Sequence, residues 1–315
     1  MAEHDVVALP ASMRVFERGW LSSNNILFFD DDAHGGCALI DSGYVTHAPQ
    51  TTALVQHALQ GKPLRRLLNT HLHSDHCGGN AALQALYGCH TRVPAAQVDD
   101  VRRWDTTALS YAPTGQQCAR FALPEAEAGL ADGMTFRLGG FDWQVISAPG
   151  HDPNAVILYS PETRVLVSAD ALWERGFGVI FPELEGESGF AEQQAILERI
   201  ARLDARVVVP GHGRPFSGVS AAIDAACSRL AYLRADPERN ALHAIRVLVK
   251  FKLLEQQALT HEALAAWFAQ TTLMPRLQAR FFPTASLAEM LDAAIAALVK
   301  AGAATVEHGR LHNRD

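Results

Sequence analysis

The segment from His71 to His76 concentrates side chains that bind transition metals. Its sequence, His-Leu-His-Ser-Asp-His, offers three imidazoles and one carboxylate within six residues. These donors suit zinc, iron(II), manganese or cobalt. The segment follows the apolar run LRRLLNT, and a loop after a strand can turn such donors toward one point. The spacing therefore predicts a metal site at the end of a strand.

Three later segments repeat this arrangement of an apolar strand pattern followed by one donor. The runs WQVISAPG, RVLVSA and ARVVVPG lead directly to His151, Asp170 and His212. In open α/β sheets, ligands bind in crevices beyond the ends of the strands. Four strand ends, each with a histidine or an aspartate, predict one shared site at one edge of the fold.

The order of these donors, HxHxDH and then His, Asp and His, resembles that of the metallo-β-lactamase-fold hydrolase superfamily. The superfamily includes glyoxalase II, the N-acyl-homoserine lactonases and RNase-Z-like nucleases, and the resemblance covers about residues 10–220. It implies an α/β fold, an αββα sandwich with the site at one edge of its two sheets. It also implies two metal sites, the first made by His71, His73 and His151 and the second by Asp75, His76 and His212, with Asp170 bridging them.

A pair of metal ions would give this site hydrolytic chemistry. Two divalent ions lower the pKa of a shared water, so that hydroxide is available near neutral pH, and they stabilise developing oxyanion charge. We expect two zinc ions, with manganese or iron as alternatives. Asp75 is the expected catalytic residue, because besides binding metal it can carry a proton to the leaving group.

Residues next to the donors are expected to support them. Asp152 and Asn154 follow His151 and are candidates for hydrogen bonds to the ligand imidazoles. Asp41 ends a strand near the same edge, where it serves either a turn or such a hydrogen bond. Cys77 is expected to be a small residue of a tight loop and not a metal thiolate.

The segment 172–181, LWERGFGVIF, follows Asp170 and suits a loop over a substrate pocket. Its one fixed cation is Arg175, a candidate anchor for the anionic end of an apolar acyl group. The glutathione-binding basic and tyrosine residues of glyoxalase II have no match in this sequence, which argues against a glutathione thioester as substrate.

The sequence divides into a catalytic part, residues 1–220, and a helical, winged-helix-like part, residues 221–315. In the first part, apolar runs at 26–29 and 37–40 predict a hairpin, and 134–148 predicts two strands around Gly139-Gly140. In the second part, Ala/Leu-rich patterns predict helices at about 220–235, 240–256, 261–270 and 286–301, an irregular connection over 271–285 and a terminal hairpin about His308-Gly309.

Charge and composition restrict the partners. A net charge of -7 argues against broad nucleic-acid binding by the 315 residues. The C-terminal part resembles the appendage of a lactamase-like branch that includes mitochondrial endoribonucleases, but its last helix carries Glu289 and Asp292 against Lys300 alone, so specific DNA binding is not expected.

The cysteines and the absence of targeting patterns bear on the location of the protein. Five cysteines without a CxxC pair, and no signal-peptide or membrane-span pattern, predict a cytoplasmic protein. Homo-oligomerisation is left open.

These observations favour a binuclear metallohydrolase that acts on a small ester, thioester or lactone. A phosphodiesterase or endoribonuclease with the same metals is an alternative, as is a mononuclear iron persulfide dioxygenase, which shares the ligand pattern. A non-catalytic regulator is disfavoured because the donor set is complete. A flavodiiron reductase is disfavoured because His73 stands where those proteins normally have glutamate.

Overall fold

The computed structural model describes residues 7–31 and 36–314, and its first part is built around two β-sheets. Six strands form the first sheet in chain order: β1 (Met13–Phe16), β2 (Asn25–Asp31), β3 (Gly36–Ile40), β4 (Leu64–Leu68), β5 (His90–Pro94) and β6 (Gly129–Leu130). The second sheet contains β7 (Thr135–Leu138), β8 (Phe141–Ser147), β9 (Val156–Ser160), β10 (Val165–Ala169) and β11 (Val207–Pro210), in the order β11-β10-β9-β8-β7. Both predicted strand pairs are confirmed, since β2 pairs antiparallel with β3 and β7 with β8.

Alternating side chains of the central strands serve two different cores, which is why both faces of these strands are apolar. In β10, Val165 and Val167 pack between the two sheets, whereas Leu166 packs against helices behind the second sheet. In β3, Ile40 and Leu39 divide in the same way between the inter-sheet core and a helix-covered core. The central strands of both sheets are therefore buried on both sides.

Helices cover the two outer faces. Helices α1 (Ala48–Leu59) and α3 (Asn80–Tyr87) pack on the first sheet, and α7 (Phe190–Arg202) and α8 (Val219–Arg234) pack on the second. Four short helices lie in the connections: α2 (Ser74–Cys77), α4 (Val98–Arg103), α5 (Tyr111–Thr114) and α6 (Phe181–Glu185). The α/β fold with its αββα layers is thus confirmed.

After α8 the chain forms a second helical core. Helices α9 (Pro237–Gln256), α10 (His261–Gln270), α11 (Leu273–Phe281) and α12 (Leu287–Lys300) share it, beside a sheet of β12 (Ala258–Thr260), β14 (Arg310–Asn313) and β13 (Ala304–Glu307). The terminal hairpin is confirmed, since His308 and Gly309 adopt positive φ between β13 and β14. The expectation of an irregular 271–285 is wrong. Helix α11 forms there and packs Leu273, Met274 and Leu277 into the core; Pro275 is compatible with it because it lies in the first turn, where no backbone N–H is required.

The winged-helix description of this part and the division at residue 220 stay predictions. Within residues 7–31 and 36–314, every helix is too short or too polar to cross a membrane.

Parallel strands bring the predicted donors to one edge. Because β3 and β4 run parallel, their carboxyl ends place Asp41 beside the segment that begins at His71. Strands β10 and β11 also run parallel, and β8 shares their direction because two antiparallel pairings, through β9, separate it from β10. The loops with His151, Asp170 and His212 therefore all leave the second sheet at the same edge.

Candidate metal centre

Three histidines from the two sheets form the first group of donors. His71 and His73 follow β4, and His151 follows β8. Nδ1 of His73 lies 3.1 Å from Nε2 of His71 and 2.8 Å from Nε2 of His151. One nitrogen from each ring thus points to a common point, in a group whose ligand atoms all lie within 4.8 Å of one another.

Asp75, His76 and His212 form the second group, also within 4.8 Å. Oδ2 of Asp75 lies 3.0 Å from Nε2 of His212 and 3.9 Å from Nε2 of His76. Two of these residues come from α2, and the third follows β11. The short helix α2 therefore brings Asp75 next to His212, which lies 137 residues further along the chain.

Asp170 lies between the two groups. Its Oδ1 is 3.6 Å from Nε2 of His76, and its Oδ2 is 3.4 Å from Nε2 of His151 and 3.9 Å from Nε2 of His212. The carboxylate thus reaches a member of the first group and two of the second. The structure brings all seven predicted donors together; their role as metal ligands remains a prediction.

The chemistry of the donor set fits metal ions. Nε2 of His76 is buried at the centre and has no hydrogen-bond partner in the described part of the chain. An unpaired buried polar atom is costly, and a cation at the centre would satisfy it. Seven donors also exceed what one tetrahedral ion can use. The residues present therefore fit a pair of divalent ions.

Neighbouring groups hold the outer nitrogen of two imidazoles. Nδ1 of His76 donates to Oδ2 of Asp41 over 2.8 Å, and Nδ1 of His151 donates to the backbone oxygen of Val179 over 2.6 Å. When the ring is neutral, each bond leaves the Nε2 lone pair directed at the centre. Asp41 was expected either to form a turn or to hydrogen-bond a ligand imidazole, and the structure shows the hydrogen bond. Sequence reasoning missed Val179, because a backbone acceptor carries no side-chain signal.

Asp152 and Asn154 act less directly than expected. Oδ2 of Asp152 lies 3.6 Å from Nε2 of His73, beyond hydrogen-bond distance. The backbone N–H of Asn154 donates to Oδ1 of Asp152, so these two residues stabilise the loop after His151. Cys77 contacts the backbone oxygen of Leu72 and the Tyr111 hydroxyl. It is the last residue of α2 and not a loop residue as expected, and the three groups of potential metal ligands do not include it.

Burial sets the charge state of the donors. It lowers the pKa of His71 well below the ordinary value and lowers the pKa of His73 and His151 to about 4, so these rings are neutral at pH 7. Burial acts in the same direction on His76, but the surrounding carboxylates, Asp41 foremost, outweigh it and raise its pKa well above the ordinary value. In the absence of metal, the His76 imidazole is therefore protonated at pH 7.

Two glycines make room for the donors. A Cβ at position 211 would lie 2.1 Å from Oδ1 of Asp170, and one at position 178 would lie 2.3 Å from Nδ1 of His151. No side chain fits at either distance. Gly178 and Gly211 are therefore required for close approach of the backbone to the two donors.

Aromatic rings cover the second group. The indole of Trp20 stacks on His212 with centroids 5.3 Å apart and planes 14° apart, and Trp173 meets both rings edge-on. Nε1 of Trp173 donates to Oδ1 of Asp170 over 3.2 Å. The expected pocket role of the segment after Asp170 is therefore confirmed for Trp173. Trp20 was missed, because it lies far upstream without a motif around it.

One cavity of about 620 Å³ opens onto the donors. Helix α9 contributes apolar side chains to its wall, among them Val247, Phe251 and Leu254. Arg175 lines it, as expected, but so do cations from outside segment 172–181: Arg214, Arg229, Arg246 and Lys250. The sequence expectation that placed the pocket's positive charge at Arg175 alone is incomplete, because it assigned no C-terminal residue to the wall.

The chain belongs to the metallo-beta-lactamase superfamily, whose sequence profile matches residues 18–212. Among curated proteins, it is 30% identical over 192 residues to a hydroxyacylglutathione hydrolase of Methylococcus capsulatus (Bath). That match covers 60% of this chain and 61% of the relative, so the chain matches under two thirds of the relative's length.

Solved structures show the same fold. A metallo-beta-lactamase family protein from Thermus thermophilus superposes with a TM-score of 0.56 at 22% identity, over 98% of this chain and all (100%) of that chain. A protein solved in a di-iron-bound form superposes with a TM-score of 0.52 at 26% identity, over 68% of this chain and 98% of that one. The first likeness extends through the C-terminal helices.

Proposed function

We propose that the protein is a binuclear metal-dependent hydrolase of a small ester, thioester or lactone, with zinc as the first expectation and manganese or iron as alternatives. The observation that carries the proposal is Asp170, whose carboxylate reaches both groups of donors. Two bound divalent ions would supply a water of lowered pKa and polarise the substrate carbonyl. A relative named for thioester hydrolysis and a similar structure solved with two irons support the proposal.

The side chains of the site have separate tasks. Asp170 supplies negative charge between the two groups, and Asp41 orients His76. Asp75 is the proposed proton carrier: burial alone would raise its pKa, but His76 and His212 lower it, so Asp75 is ionised and ready to accept a proton. It also lines the cavity, from which it can return that proton to the leaving group.

The cavity suits a small acyl compound. Its volume of about 620 Å³ lies within the range of small-molecule sites. Phe181 packs edge-on against His73 with centroids 5.0 Å apart, and Trp20 and Trp173 cover His212. These rings exclude water from the reacting end of the substrate, which strengthens the electrostatic interactions there.

A second candidate is a phosphodiesterase that uses the same donors. The observation in its favour is the number of cations in the cavity wall, because arginine and lysine hold successive phosphates in nucleic-acid grooves. The negative net charge of -7 and the apolar wall favour the small acyl substrate.

The test compares kcat/KM for aryl esters, thioesters and lactones with that for single-stranded RNA, on one metal-loaded sample. We expect turnover of the acyl compounds and little RNA cleavage. Asp170→Asn is the control for contaminants, since activity that depends on the site must disappear with it. RNA cleavage that exceeds acyl hydrolysis and vanishes in Asp170→Asn would replace this proposal by the phosphodiesterase.

A cytoplasmic location is part of the proposal. All five cysteines are free thiols, which fits a reducing compartment.

A further inference from the structure

Helix α9 forms a large share of the cavity wall and α8 adds one residue to it, and both helices bring cations to the cavity. Arg229 comes from α8, and His243 and Arg246 come from α9. Nη2 of Arg229 donates to Nε2 of His243 over 2.8 Å. These three residues, here called the α8–α9 cluster, lie outside the seven donors of the candidate metal centre.

Arg229 is a partly buried cation that pairs with no carboxylate in the described part of the chain. No carboxylate of the described residues lies within ion-pair distance of its guanidinium, and its Nε is buried without a hydrogen-bond partner. The guanidinium instead lies 5.7 Å above the ring of Phe177. Burial removes part of the water around the guanidinium and lowers the pKa of Arg229. An anion in the cavity would compensate this charge.

The α8–α9 cluster consists of donors. Arginine cannot accept a hydrogen bond, so Nε2 of His243 must accept from Arg229, and His243 is neutral with its proton on Nδ1. Burial and the charges of Arg229 and Arg246 agree with this, since they lower the pKa of His243 to about 4. The guanidinium of Arg246 is exposed and makes no hydrogen bond or ion pair with any described residue.

The described cavity lining contains few carboxylates that could compete with a bound anion for the α8–α9 cluster. Apart from Asp75 and Asp170 of the metal centre, Glu174 is the one carboxylate among the described lining residues, and it is exposed. A group that complements two guanidinium ions and an imidazole N–H is a carboxylate or a phosphate.

A short segment connects the α8–α9 cluster with the metal centre. A Cβ on Gly176 would lie 2.8 Å from Cδ of Arg229, and Gly178, two residues on, is in contact with His151. The tripeptide 176–178 therefore separates the arginine from a donor imidazole within one cavity. A small substrate can reach from the donors to the cluster.

We propose that Arg229, His243 and Arg246 form an anion-binding subsite, which holds the carboxylate or phosphate end of the substrate while its ester or thioester carbonyl lies at Asp170. The inference rests on the proposed function and deepens it: the substrate is a small acyl compound with an anion at the end remote from the bond that is cleaved. The α8–α9 cluster, and not Arg175, recognises that anion.

The test uses matched para-nitrophenyl esters on the metal-loaded protein. The monoesters of succinic, glutaric and adipic acid carry a terminal carboxylate, alkanoate esters of the same chain lengths are neutral, and the ester of γ-phosphonobutyric acid carries a phosphonate. The ratio of kcat/KM for an anionic ester to that for its neutral counterpart measures how strongly the enzyme prefers the anionic substrate, which is the contribution expected from the subsite. The best carboxylate and phosphonate esters show which anion is preferred.

We expect Arg229→Gln and Arg246→Gln each to lower this ratio by about tenfold or more, as the loss of a charge-assisted hydrogen bond does, with neutral-ester kcat/KM changed by about twofold at most. Arg229→Lys should recover part of the ratio, because it keeps the charge but not the fork geometry. Arg214→Gln is the matched control, since it removes an exposed cavity cation that lies 3.7 Å from Glu17. Arg246 is exposed, so its variant tests the proposal even where Arg229→Gln fails to fold.

Calorimetric titration of glutarate into the same proteins separates the two proposals. Weaker glutarate binding in the Arg229 and Arg246 variants, without turnover of any ester, would support the subsite and reject the hydrolase function. Ester turnover whose anionic preference is unchanged in these variants, or falls only in Arg175→Gln, would reject the subsite and leave the hydrolase function standing.

Discussion

The carboxylate of Asp41 accepts a hydrogen bond from Nδ1 of His76 over 2.8 Å, although 35 positions separate the two residues in the chain. The other oxygen of Asp41 accepts from the backbone N–H of Thr70 over 2.9 Å. The parallel pairing of β3 and β4 makes this contact, because it sets the end of one strand beside the loop of the next. Asp41 thereby fixes the orientation of a donor imidazole.

Asp41→Asn is expected to weaken metal binding by about tenfold to a hundredfold, the usual effect of losing such an orienting partner. The amide offers one acceptor where the carboxylate offers two, so the bond to either Thr70 or His76 is lost. Competition with a chromophoric chelator measures the affinity. Asp142→Asn, an exposed carboxylate paired with Arg137, is the control. Equal affinity in the two variants would contradict the orienting role.

Metal loading at pH 7 is expected to release a proton from His76. Its pKa is raised well above the ordinary value, so the ring is protonated without metal, whereas His73 and His151, with pKa values of about 4, have no proton to release. Protons compete with metal for Nε2, so metal affinity falls as the pH is lowered and rises as the pH increases toward the pKa of His76. A pH indicator in weak buffer measures the release.

The same titration on Asp41→Asn should release fewer protons, because loss of the carboxylate lowers the pKa of His76. Equal release from both proteins would show that the protons come from elsewhere, for example from water.

Gly211→Ala is expected to abolish metal binding, since its Cβ would lie 2.1 Å from Oδ1 of Asp170. Gly218→Ala is the matched control. Gly218 lies in the same connection between β11 and α8, an added Cβ there meets nothing within 4 Å, and its φ of -75° suits alanine. Metal content after gel filtration and far-ultraviolet circular dichroism separate loss of the site from loss of the fold. Normal metal content in Gly211→Ala would show that the backbone at position 211 does not need to lie so close to Asp170.

The full chain is expected to bind duplex DNA weakly and without sequence preference, with a dissociation constant of about 10⁻⁴ to 10⁻⁶ M at physiological salt. Helix α12 presents Glu289 in its first turn and Lys300 in its last, a poor surface for a major groove. Fluorescence anisotropy with labelled duplexes measures the affinity. Sub-micromolar, sequence-selective binding would favour a regulatory protein over the proposed hydrolase.

The sequence predicted the donors because each follows an apolar strand, a pattern that is local and visible without the fold. The αββα layers came from the family resemblance, because strand patterns do not specify which strands become neighbours. Trp20 and Arg229 could not be predicted as parts of the site, since they reach it through tertiary packing. Their own segments, a loop before β2 and a helix behind the second sheet, carry no motif that points to a cavity.

The anomalous scattering of metal-loaded crystals tests whether the centre is binuclear. We expect two ions per chain, about 3.5–4 Å apart, with the carboxylate of Asp170 between them. We also expect Asp170→Asn to lose both metal and activity, because a neutral amide cannot offset two dications. A single ion at full loading, with Asp75 and His76 turned away from it, would contradict a binuclear centre, as would an Asp170→Asn protein that keeps two ions and its activity.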